Sequence, residues 1–242
     1  MLVTGASRGI GAAIVRAASA AYDVVLDHTA NDAAAATVAD ELRANGADVL
    51  VQRVDVSDED AVIAMFAATD NRFGRLDVVV NNAGIAGGYG GIDVVDASML
   101  ARLWAVNVTG PFVCSREAAA RMRTDRGGRG GSIVNVSSKA AVLGGANEWV
   151  HYAASKGALD TLTTGLAKEL AAVGVRVNAV RPGLIDSDFH DHATPGRVDR
   201  MIPVVPMQRV GTAHEVAEAV LWLASPAASY VTGAFIDVTG GR

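Results

Sequence analysis

The sequence predicts a single α/β domain: a Rossmann-type, doubly wound parallel sheet of about seven strands with helices on both faces. Short apolar runs alternate with helical patterns along all 242 residues, as in consecutive βα units. Half of the residues are hydrophobic but only 5% are aromatic, which is typical of helices packed closely on a parallel sheet. Small and polar residues follow several of the apolar runs, at the edge where such sheets bind ligands.

Charge and composition exclude several classes of function. The formal net charge of −5 leaves no whole-protein electrostatic footprint for nucleic acid or an anionic membrane. Cys114 is the only cysteine, which rules out an intramolecular disulfide and an all-cysteine metal site and fits a reducing compartment. No run approaches the roughly 18 uninterrupted apolar residues of a membrane span, and the first residues show no signal-peptide pattern. We therefore expect a cytoplasmic protein without a nucleic-acid or membrane partner, in which Cys114 is a small buried hydrophobic residue.

The first apolar run, Met1 to Thr4, predicts a strand that leads into a glycine-rich turn and then a helix. Gly5 permits the sharp exit, Gly9 lets the backbone approach a pyrophosphate, and Gly11 lets the helix pack closely, with its first N–H groups left for phosphates. An ordinary βα turn is the alternative, because a glycine loop alone is a weak signal. The predicted coenzyme contacts in this turn are Gly5, Ser7, Arg8, Gly9, Ile10 and Gly11.

The second strand, Val24 to Leu26, bears on the choice of coenzyme. The adenosine ribose of a dinucleotide lies at the end of this strand, where an acidic side chain favours NAD and its absence beside a cation admits the 2′-phosphate of NADP. Asp27 and His28 compete for that position, because the register is uncertain by one residue. Since Arg8 is placed to meet a phosphate, we assign His28 to the site and favour NADP(H) over NAD(H). A solvated loop arginine is the alternative for Arg8.

A helix and a strand follow the second strand. A polar helix from about Asn31 to Asn45 ends at Gly46, and an alternating strand runs from Asp48 to Val54. Asp55, beside Val56, could accept a hydrogen bond from an adenine amino group, so both are predicted coenzyme contacts.

The following helix begins after Ser57 or Asp58, either of which could cap it, and it ends at Gly74. Its apolar face is expected to carry Val62, Ile63 and Phe66.

The run from Leu76 to Val80 is nearly continuous in its apolar character, as expected of a central parallel strand. It ends in Asn81-Asn82-Ala83-Gly84. We expect Asn81 to tie neighbouring strands together, and Ala83 and Gly84 to line a ribose of the coenzyme. The loop from Gly84 to Gly91 is expected to be mobile.

A long helix is predicted from Ala97 to about Arg123, with an interruption near Asn107. Gly110 and Pro111 within a helical pattern indicate a kink that frees carbonyl groups. Asn107 could hold a water molecule that links Lys156 to solvent, or it could simply satisfy the kinked backbone. The two roles are compatible.

Four arginines stand close together at the end of that helix and in the loop that follows, at positions 121, 123, 126 and 129. Such a cluster on an acidic protein could bind an acidic carrier protein. Solvated loop arginines are the commoner explanation.

Ser138, Tyr152 and Lys156 form the predicted centre for proton transfer. The strand Ser132 to Val136 delivers Ser138 to the same sheet edge as Asn81. Tyr152 and Lys156 are four residues apart at the start of a helix that closes near position 174, so both project from one helix face. A phenol titrates near about 10, and a nearby ammonium lowers that pKa toward neutrality. The three groups together indicate acid/base chemistry on a carbonyl or an alcohol.

The chain after this helix is expected to contain a strand Val175 to Val180, a long irregular stretch Leu184 to Val210, a helix Thr212 to Ala224 and a last strand Ala234 to Val238. An irregular stretch of that size is typical of a substrate lid. It carries Asp186, Asp188, His190, Asp191 and His192, but these ligand types crowd into seven residues of a loop without a second shell. Polar lid residues explain them better than a metal site does.

The chain resembles the short-chain dehydrogenase/reductase family over essentially its whole length. The residues that carry this resemblance are Thr4-Gly5-Ala6-Ser7-Arg8-Gly9-Ile10-Gly11, Asp55, Asn81-Asn82-Ala83-Gly84, Asn107, Ser138, Tyr152 with Lys156, and Pro182-Gly183. Each motif alone is modest, and their order and spacing make the match specific.

The resemblance implies a role for each residue of the site. Tyr152 would be the general acid/base, Lys156 would lower its pKa and hold the nicotinamide ribose, Ser138 would position the carbonyl oxygen, and Asn107 would anchor a water of a proton relay. Further coenzyme contacts are implied at Pro182, Gly183, Ile185 and Ser187, where Ser187 stands in a position that the family often fills with threonine.

Within the family, the chain resembles the branch of 3-oxoacyl-carrier-protein reductases and glucose dehydrogenases. This implies hydride transfer between NADP(H) and a small carbonyl or alcohol, a possible acyl-carrier-protein partner and a homotetramer. The alternatives are a glucose- or polyol-type dehydrogenase that uses NAD, a non-catalytic NADP(H) sensor and, least favoured, a hydrolase that uses a metal bound between Asp188 and His192.

The sequence departs from the family pattern in two places. Ser138 and Tyr152 are fourteen positions apart, one more than is common in the carrier-protein reductases, so the substrate loop is expected to differ locally. The first strand is also about four residues shorter than usual, which indicates a trimmed or misassigned start and not altered chemistry.

Overall fold

The computed structural model describes residues 1–187 and 193–242 and has the predicted doubly wound α/β fold. Seven strands form one parallel sheet in the order β3-β2-β1-β4-β5-β6-β7. The strands are β1 (Leu2–Val3), β2 (Val24–His28), β3 (Val49–Arg53), β4 (Val78–Asn81), β5 (Gly131–Val136), β6 (Val175–Pro182) and β7 (Phe235–Val238).

Helices cover both faces of the sheet. They are α1 (Gly9–Ala18), α2 (Asp32–Ala44), α3 (Glu59–Phe73), α4 (Ala97–Trp104), α5 (Gly110–Met122), α6 (Ala140–Leu143), α7 (Val150–Leu170), α8 (Arg197–Met201) and α9 (Ala213–Ala224). Among these helices of the described residues, none has the length and apolar character needed to cross a membrane.

The core consists of two aliphatic layers, one on each face of the sheet. Ile14, Val38 and Leu223 belong to the layer under α1, α2 and α9. The opposite layer lies under α3, α5 and α7 and contains Phe66 and the fully buried Cys114. Burial raises the pKa of the Cys114 thiol to about 12, so this cysteine is the inert hydrophobic residue that its context predicted.

Strand β1 lies at the centre of the sheet and determines where a ligand can bind. Val3 pairs with Leu26 of β2 on one side and with Val80 of β4 on the other. The chain order reverses between β1 and β4, so the connections that leave these two strands diverge. A crevice opens at their carboxyl ends, as in other doubly wound sheets.

The long helix predicted across positions 97–123 is interrupted as expected. Residues Ala105–Thr109 form a turn of π-helix between α4 and α5. Gly110 and Pro111 then begin α5. Asn107 lies within the π-helical turn and is fully buried, so the interruption brings a polar side chain into the interior.

Several details of the predicted helices were wrong. Ile63 is 38% exposed, because it stands about 100° around α3 from Val62 and leaves the buried face. The helix that carries Tyr152 begins at Val150. Helices α6 and α8 lie in segments that the sequence predicts to be irregular, because four or five residues are too few to show helical periodicity.

Candidate active site

The glycine turn after β1 has the geometry that its spacing predicts. Gly5 and Gly9 have φ values of +64° and +53°, a region that side chains rarely adopt. Helix α1 begins at Gly9, and the preceding Arg8 places no side-chain cap on its first N–H groups. These backbone groups and the positive end of the helix are suited to binding a phosphate.

Gly11 explains the tight contact between α1 and the loops around it. A Cβ atom at this position would lie 2.4 Å from the Gly5 carbonyl oxygen and 2.6 Å from Asn82 Nδ2. The site therefore has room only for glycine.

Thr4 and Asn82 join the glycine turn to the loop after β4. Thr4 Oγ1 accepts hydrogen bonds from the backbone N–H groups of Asn82 and Ala83, each at 3.0 Å. Asn82 Nδ2 donates to the carbonyl oxygens of Thr4 at 2.9 Å and Gly5 at 3.0 Å. Neither side chain was predicted to act here. The available signal was that each residue belongs to a motif quoted from the sequence, Thr4 to the glycine turn and Asn82 to the run Asn81 to Gly84.

The two candidates at the end of β2, Asp27 and His28, are both buried. Asp27 Oδ2 accepts from the Gly5 N–H at 3.1 Å, and Oδ1 accepts from the Val54 N–H at 3.2 Å. Asp27 therefore supports the glycine turn from inside and is not available to a ribose. Burial raises its pKa to about 7. His28 is 4% exposed, and its Nδ1 lies 3.7 Å from Asp32 Oδ1.

Asp55 lies at the predicted edge but is bound to neighbours that the sequence did not reveal. Its Oδ1 accepts from the Ser57 N–H and hydroxyl, at 3.0 and 2.7 Å. Its Oδ2 lies 2.7 Å from Arg102 Nη2, so an arginine from α4 stands beside the expected adenine contact. Val56 is buried next to it. Asp58, one of the two candidate caps, accepts from the N–H at position 61 and caps α3.

Asn81 ties strands together as predicted. Its Nδ2 donates to Asn135 Oδ1 on β5 at 2.8 Å and to Ser115 Oγ on α5 at 3.1 Å. Beyond it, the chain passes close to two other polar groups, because a Cβ on Gly84 would lie 3.4 Å from both Asn107 Oδ1 and Lys156 Nζ.

Asn107 satisfies backbone groups of the loop after β4. Its Nδ2 donates to the Ile85 carbonyl at 2.8 Å and to Ser155 Oγ at 3.0 Å, and its Oδ1 accepts from the Ile85 N–H at 2.9 Å. The side chain thus has a structural role, but its hydrogen-bond partners among the described residues are the loop and α7 and not the kinked backbone that the sequence suggested; it fixes the loop against α7.

Ser138, Tyr152 and Lys156 lie together at the carboxyl edge of the sheet. Tyr152 is hydrogen-bonded to Ser138. Lys156 Nζ donates to the Val136 carbonyl at 2.8 Å and lies 5.7 Å from the centroid of the Tyr152 ring. The lysine is 4% exposed, so the ammonium is anchored at the end of β5 and directed beneath the phenol.

The expected lowering of the tyrosine pKa is not found in this structure. Burial raises the pKa of Tyr152 to about 12, and the hydrogen bond with Ser138 offsets only part of that shift. Burial also lowers the pKa of Lys156 to about 8, against the attraction of Asp160. Because the pKa of Tyr152 lies above the ordinary value of a phenol, this side chain is a neutral proton donor at neutral pH.

These groups line one cavity of about 450 Å³. It also receives side chains from the glycine turn, the end of β6 and the segment that follows it. The predicted residues that line it are Ile10, Gly84, Ser138, Tyr152, Lys156, Pro182, Gly183, Ile185 and Ser187. The sequence therefore brings the acid/base group and the expected nicotinamide contacts to one place.

The segment after β6 is fixed at its first residues. Ile185 pairs with Gly211 as an isolated bridge, and Gly183 packs against Thr239, whose Cα would lie 2.9 Å from a Cβ at position 183. The acidic and histidine residues at positions 188 and 190–192 lie outside the described residues. Among residues 1–187 and 193–242, no group of metal-ligating side chains is found.

A dinucleotide fits the residues that are present. Gly5 and Gly11 of the glycine turn leave no space for a side chain, the start of α1 offers N–H groups without a side-chain cap, and the cavity continues from Ile10 to Lys156. This continuity from a phosphate site to an acid/base site is what a nicotinamide coenzyme requires.

Comparisons with known proteins agree with this geometry. Residues 5–242 match the family model described as "Enoyl-(Acyl carrier protein) reductase". The chain is 50% identical over 243 residues to the uncharacterized oxidoreductase YgfF of Escherichia coli (strain K12), with 100% of this chain and 98% of that protein covered. It is 37% identical to 3-oxoacyl-[acyl-carrier-protein] reductase FabG of Staphylococcus aureus (strain Mu50 / ATCC 700699), with 99% and 96% covered. It is also 37% identical to L-rhamnose 1-dehydrogenase (NAD(P)(+)) of Azotobacter vinelandii (strain DJ / ATCC BAA-1303), with 100% and 95% covered.

Solved structures give the same result. A short-chain dehydrogenase/reductase from Serratia marcescens BCRC 10948 superposes with a TM-score of 0.91 at 36% identity. A blue fluorescent protein from a metagenomic library, in complex with NADPH, superposes with a TM-score of 0.90 at 36% identity. Each comparison covers 99% of this chain and 96% of the other. The chain therefore belongs to the short-chain dehydrogenase/reductase family. It is an NAD(P)-dependent oxidoreductase of CH–OH groups.

The contact at Gly11 leads to a first prediction. Gly11→Ala should weaken NAD(P)H binding at least about tenfold, a loss of about 1.4 kcal/mol, because the new Cβ would push α1 away from the glycine turn. Gly165→Ala is the control, since a Cβ there meets nothing within 4 Å. It should leave binding unchanged and stability equal or higher by up to about 1 kcal/mol. Coenzyme fluorescence titration and urea unfolding measure both effects, and normal binding by Gly11→Ala would contradict the proposed packing.

The buried carboxyl group of Asp27 leads to a second prediction. Its pKa rises from 3.8 to about 7 on folding, so between these values the folded protein holds a proton that the unfolded chain releases. The stability linked to this proton is complete below about pH 4 and is lost as the pH rises toward 7, by up to about 1.4 kcal/mol per pH unit. Asp27→Asn should flatten this dependence, measured by urea unfolding at pH 5, 6 and 7.

The control for this experiment is Asp40→Asn, which changes an exposed carboxylate of α2 and should leave the wild-type slope intact. Equal slopes for wild type and Asp27→Asn would show that the Asp27 carboxyl group is already ionised in the folded protein.

Proposed function

We propose that this protein is an NADP(H)-dependent oxidoreductase that interconverts a small carbonyl compound and a secondary alcohol, with Tyr152 as the general acid/base. The observation that supports this most directly is the convergence of the Tyr152 phenol, the Ser138 hydroxyl and the Lys156 ammonium on one cavity that continues to the glycine turn.

The residues that would hold the coenzyme follow the edge of the sheet. The glycine turn and the start of α1 would bind the pyrophosphate, Asp55 and Val56 would border the adenine, and Lys156 would bind the nicotinamide ribose. Pro182, Gly183, Ile185 and Ser187 would lie beside the nicotinamide. When bound, the coenzyme supplies hydride to a carbonyl carbon or accepts it from a carbinol carbon.

The acid/base step belongs to the chain itself. Ser138 would hold the substrate oxygen next to the Tyr152 hydroxyl, which in this structure is a neutral donor. Tyr152 would deliver its proton to the oxygen as the carbonyl is reduced. Lys156, anchored on the Val136 carbonyl, would then stabilise the phenolate by its charge, and water held near Asn107 would return the proton.

The preference for NADP(H) rests on the end of β2. The one carboxylate in this strand, Asp27, points inward and binds backbone N–H groups, so it offers no acceptor for a ribose 2′-hydroxyl. Arg8 is exposed in the glycine turn and would meet the 2′-phosphate, whereas His28, assigned to the same site from the sequence, is 4% exposed and lies beside Asp32. The NADPH complex of the metagenomic relative is consistent with this choice. NAD(H) is the alternative.

The two curated relatives with assigned activities represent the two substrate classes considered from the sequence: an acyl-carrier-protein substrate and a sugar. The arginines expected to attract an acidic carrier are partly neutralised, because Arg121 lies 2.8 Å from Asp70 and 2.9 Å from Glu117, and Arg123 lies 2.6 Å from Asp125. We therefore favour a free small-molecule substrate. The homotetramer remains a prediction from the family resemblance, the cytoplasmic location a prediction from composition, and the lid role of positions 184–210 a prediction from the length of that stretch.

The proposed acid/base role of Tyr152 is tested by Tyr152→Phe. This variant should bind NADPH normally and lose at least about 100-fold in turnover, because one general acid is removed. Tyr230→Phe, which changes a fully exposed tyrosine, should behave as wild type. A panel of carbonyl compounds and alcohols, with both coenzymes, measures turnover. Near-normal rates for Tyr152→Phe would refute the assignment, and normal NADPH binding without any turnover by the wild type would favour the sensor alternative.

The proposed coenzyme preference is tested by Arg8→Ala. The loss of one phosphate contact should weaken NADPH binding about tenfold, equal to about 1.4 kcal/mol, and should change NADH binding less than twofold. Arg43→Ala removes an exposed arginine of α2 and is the control. Equal losses for both coenzymes would mean that Arg8 does not read the 2′-phosphate.

A further inference from the structure

The segment between Ser138 and Tyr152, where the sequence has one more residue than is common in the carrier-protein reductases, folds into α6 and a tight loop. Gly144, Gly145 and Asn147 have φ values of +82°, +62° and +62°, and a Cβ on Gly145 would lie 2.7 Å from the Trp149 carbonyl oxygen. These constraints give the loop one course, and that course brings Glu148 and Trp149 to the cavity.

Glu148 is held there by an arginine from α8. Arg197 Nε and Nη2 donate to the two carboxylate oxygens of Glu148, at 3.0 and 2.6 Å. The guanidinium carbon lies 4.6 Å from the centroid of the Trp149 ring, and Tyr89 packs edge-on against the same ring at 5.0 Å. A planar, two-point contact of this kind fixes the carboxylate in one orientation.

The carboxylate keeps capacity for one more hydrogen bond. An ionised carboxyl group accepts about four hydrogen bonds, and Glu148 receives two from Arg197 and a third from the Tyr89 hydroxyl at 3.4 Å. Although partial burial acts to raise the pKa of Glu148, its hydrogen bonds with Arg197 hold it below the usual value, so the group is an acceptor at neutral pH. Its side chain is 28% exposed, compared with 10% for Arg197.

The Glu148–Arg197 pair favours a neutral, hydroxyl-bearing ligand at its part of the cavity. Arg197 and Glu148 neutralise each other, so they offer no net charge to an anionic substrate. An acyl chain packed against them would remove the pair from water without replacing its hydrogen bonds, which is costly. A substrate hydroxyl group can donate a hydrogen bond to the remaining acceptor site of Glu148, and the ion pair gives it polar surroundings in place of water.

We propose that Glu148, oriented by Arg197, is a specificity-determining residue that accepts a hydrogen bond from a substrate hydroxyl group, and that the substrate is a small neutral polyhydroxylated carbonyl or alcohol, such as an aldose or a polyol. This inference rests on the proposed function, since it concerns the substrate of the same cavity.

The test combines enzyme variants with deoxygenated substrates. Wild type, Glu148→Gln and the control Glu218→Gln, which changes an exposed carboxylate of α9, are assayed with five- and six-carbon aldoses, with each monodeoxy analogue of the best one, and with cyclohexanone and an acetoacetyl thioester. Glu148→Gln should reduce kcat/KM for the best aldose at least about tenfold, mainly through KM. One monodeoxy analogue should show a similar loss with wild type and no further loss with the variant.

This design separates hydroxyl recognition from a structural tie between the loop and α8. A structural tie would make Glu148→Gln reduce turnover of hydroxylated and non-hydroxylated substrates alike, and that result would overturn the inference. Faster turnover of cyclohexanone or the thioester than of every aldose by wild type would also overturn it, while leaving the oxidoreductase proposal intact.

A second substitution tests the role of Arg197 independently, and thermal unfolding checks that the variants are folded. Arg197→Lys keeps the charge but loses the two-point contact, and it should raise KM for the aldose in the same direction with coenzyme affinity unchanged. Thermal unfolding with and without NADPH confirms that each variant is folded. Absence of hydride transfer with every substrate in the panel would refute the proposed function itself.

Discussion

The close contact between the glycine turn and the loop after β4 is the constraint on which the rest of the site depends. Two central strands end side by side, and their connections must separate while their backbones nearly touch. Gly11 supplies the space, and Thr4 and Asn82 supply the hydrogen bonds. Asp27 supports the same turn from below. The coenzyme surface is therefore formed by backbone groups held by buried side chains, and little of it depends on flexible side chains.

The acid/base centre is built on rigid elements in the same way. Lys156 projects from α7 and ends on the Val136 carbonyl at the end of β5. Behind it, Asn81, Asn135 and Thr163 form a buried chain of hydrogen bonds across β4, β5 and α7. A buried ammonium is costly unless its donors are satisfied. The edge of the sheet thus determines where the Lys156 ammonium lies, and this keeps the proton-transfer geometry within narrow limits.

Much of this architecture could be predicted because its signals are local. The glycine spacing, the Asn81 to Gly84 motif and the four-residue step from Tyr152 to Lys156 are each contained in a few consecutive residues, and the structure brings them together. The inward orientation of Asp27 could not be predicted, because a shift of one residue along a strand reverses the face. The contacts of Asp55 with Arg102 and of Glu148 with Arg197 join residues about fifty positions apart, and no periodicity encodes such pairs.

The dominance of burial at Tyr152 was also outside the reach of the sequence. A spacing of four residues predicts that a cation and a phenol share a helix face, but it does not predict how polar their surroundings are. In the structure, burial raises the pKa of Tyr152 and lowers the pKa of Lys156. The phenol is thus kept neutral, while Lys156, with a pKa of about 8, still carries its charge at neutral pH.

The π-helical turn between α4 and α5 changes the direction in which all later side chains of this helical segment point. One extra residue in a turn shifts every later side chain by about 100° around the helix axis. Asn107 and the buried face of α5 can both point inward only because the shift is absorbed within Ala105–Thr109. Removal of one residue there would restore a continuous α-helix, but it would force a choice between directing Asn107 toward Ile85 and keeping α5 in the core. The π-helical turn disturbs the regular helix geometry, but it allows α4 and α5 to be oriented independently of each other.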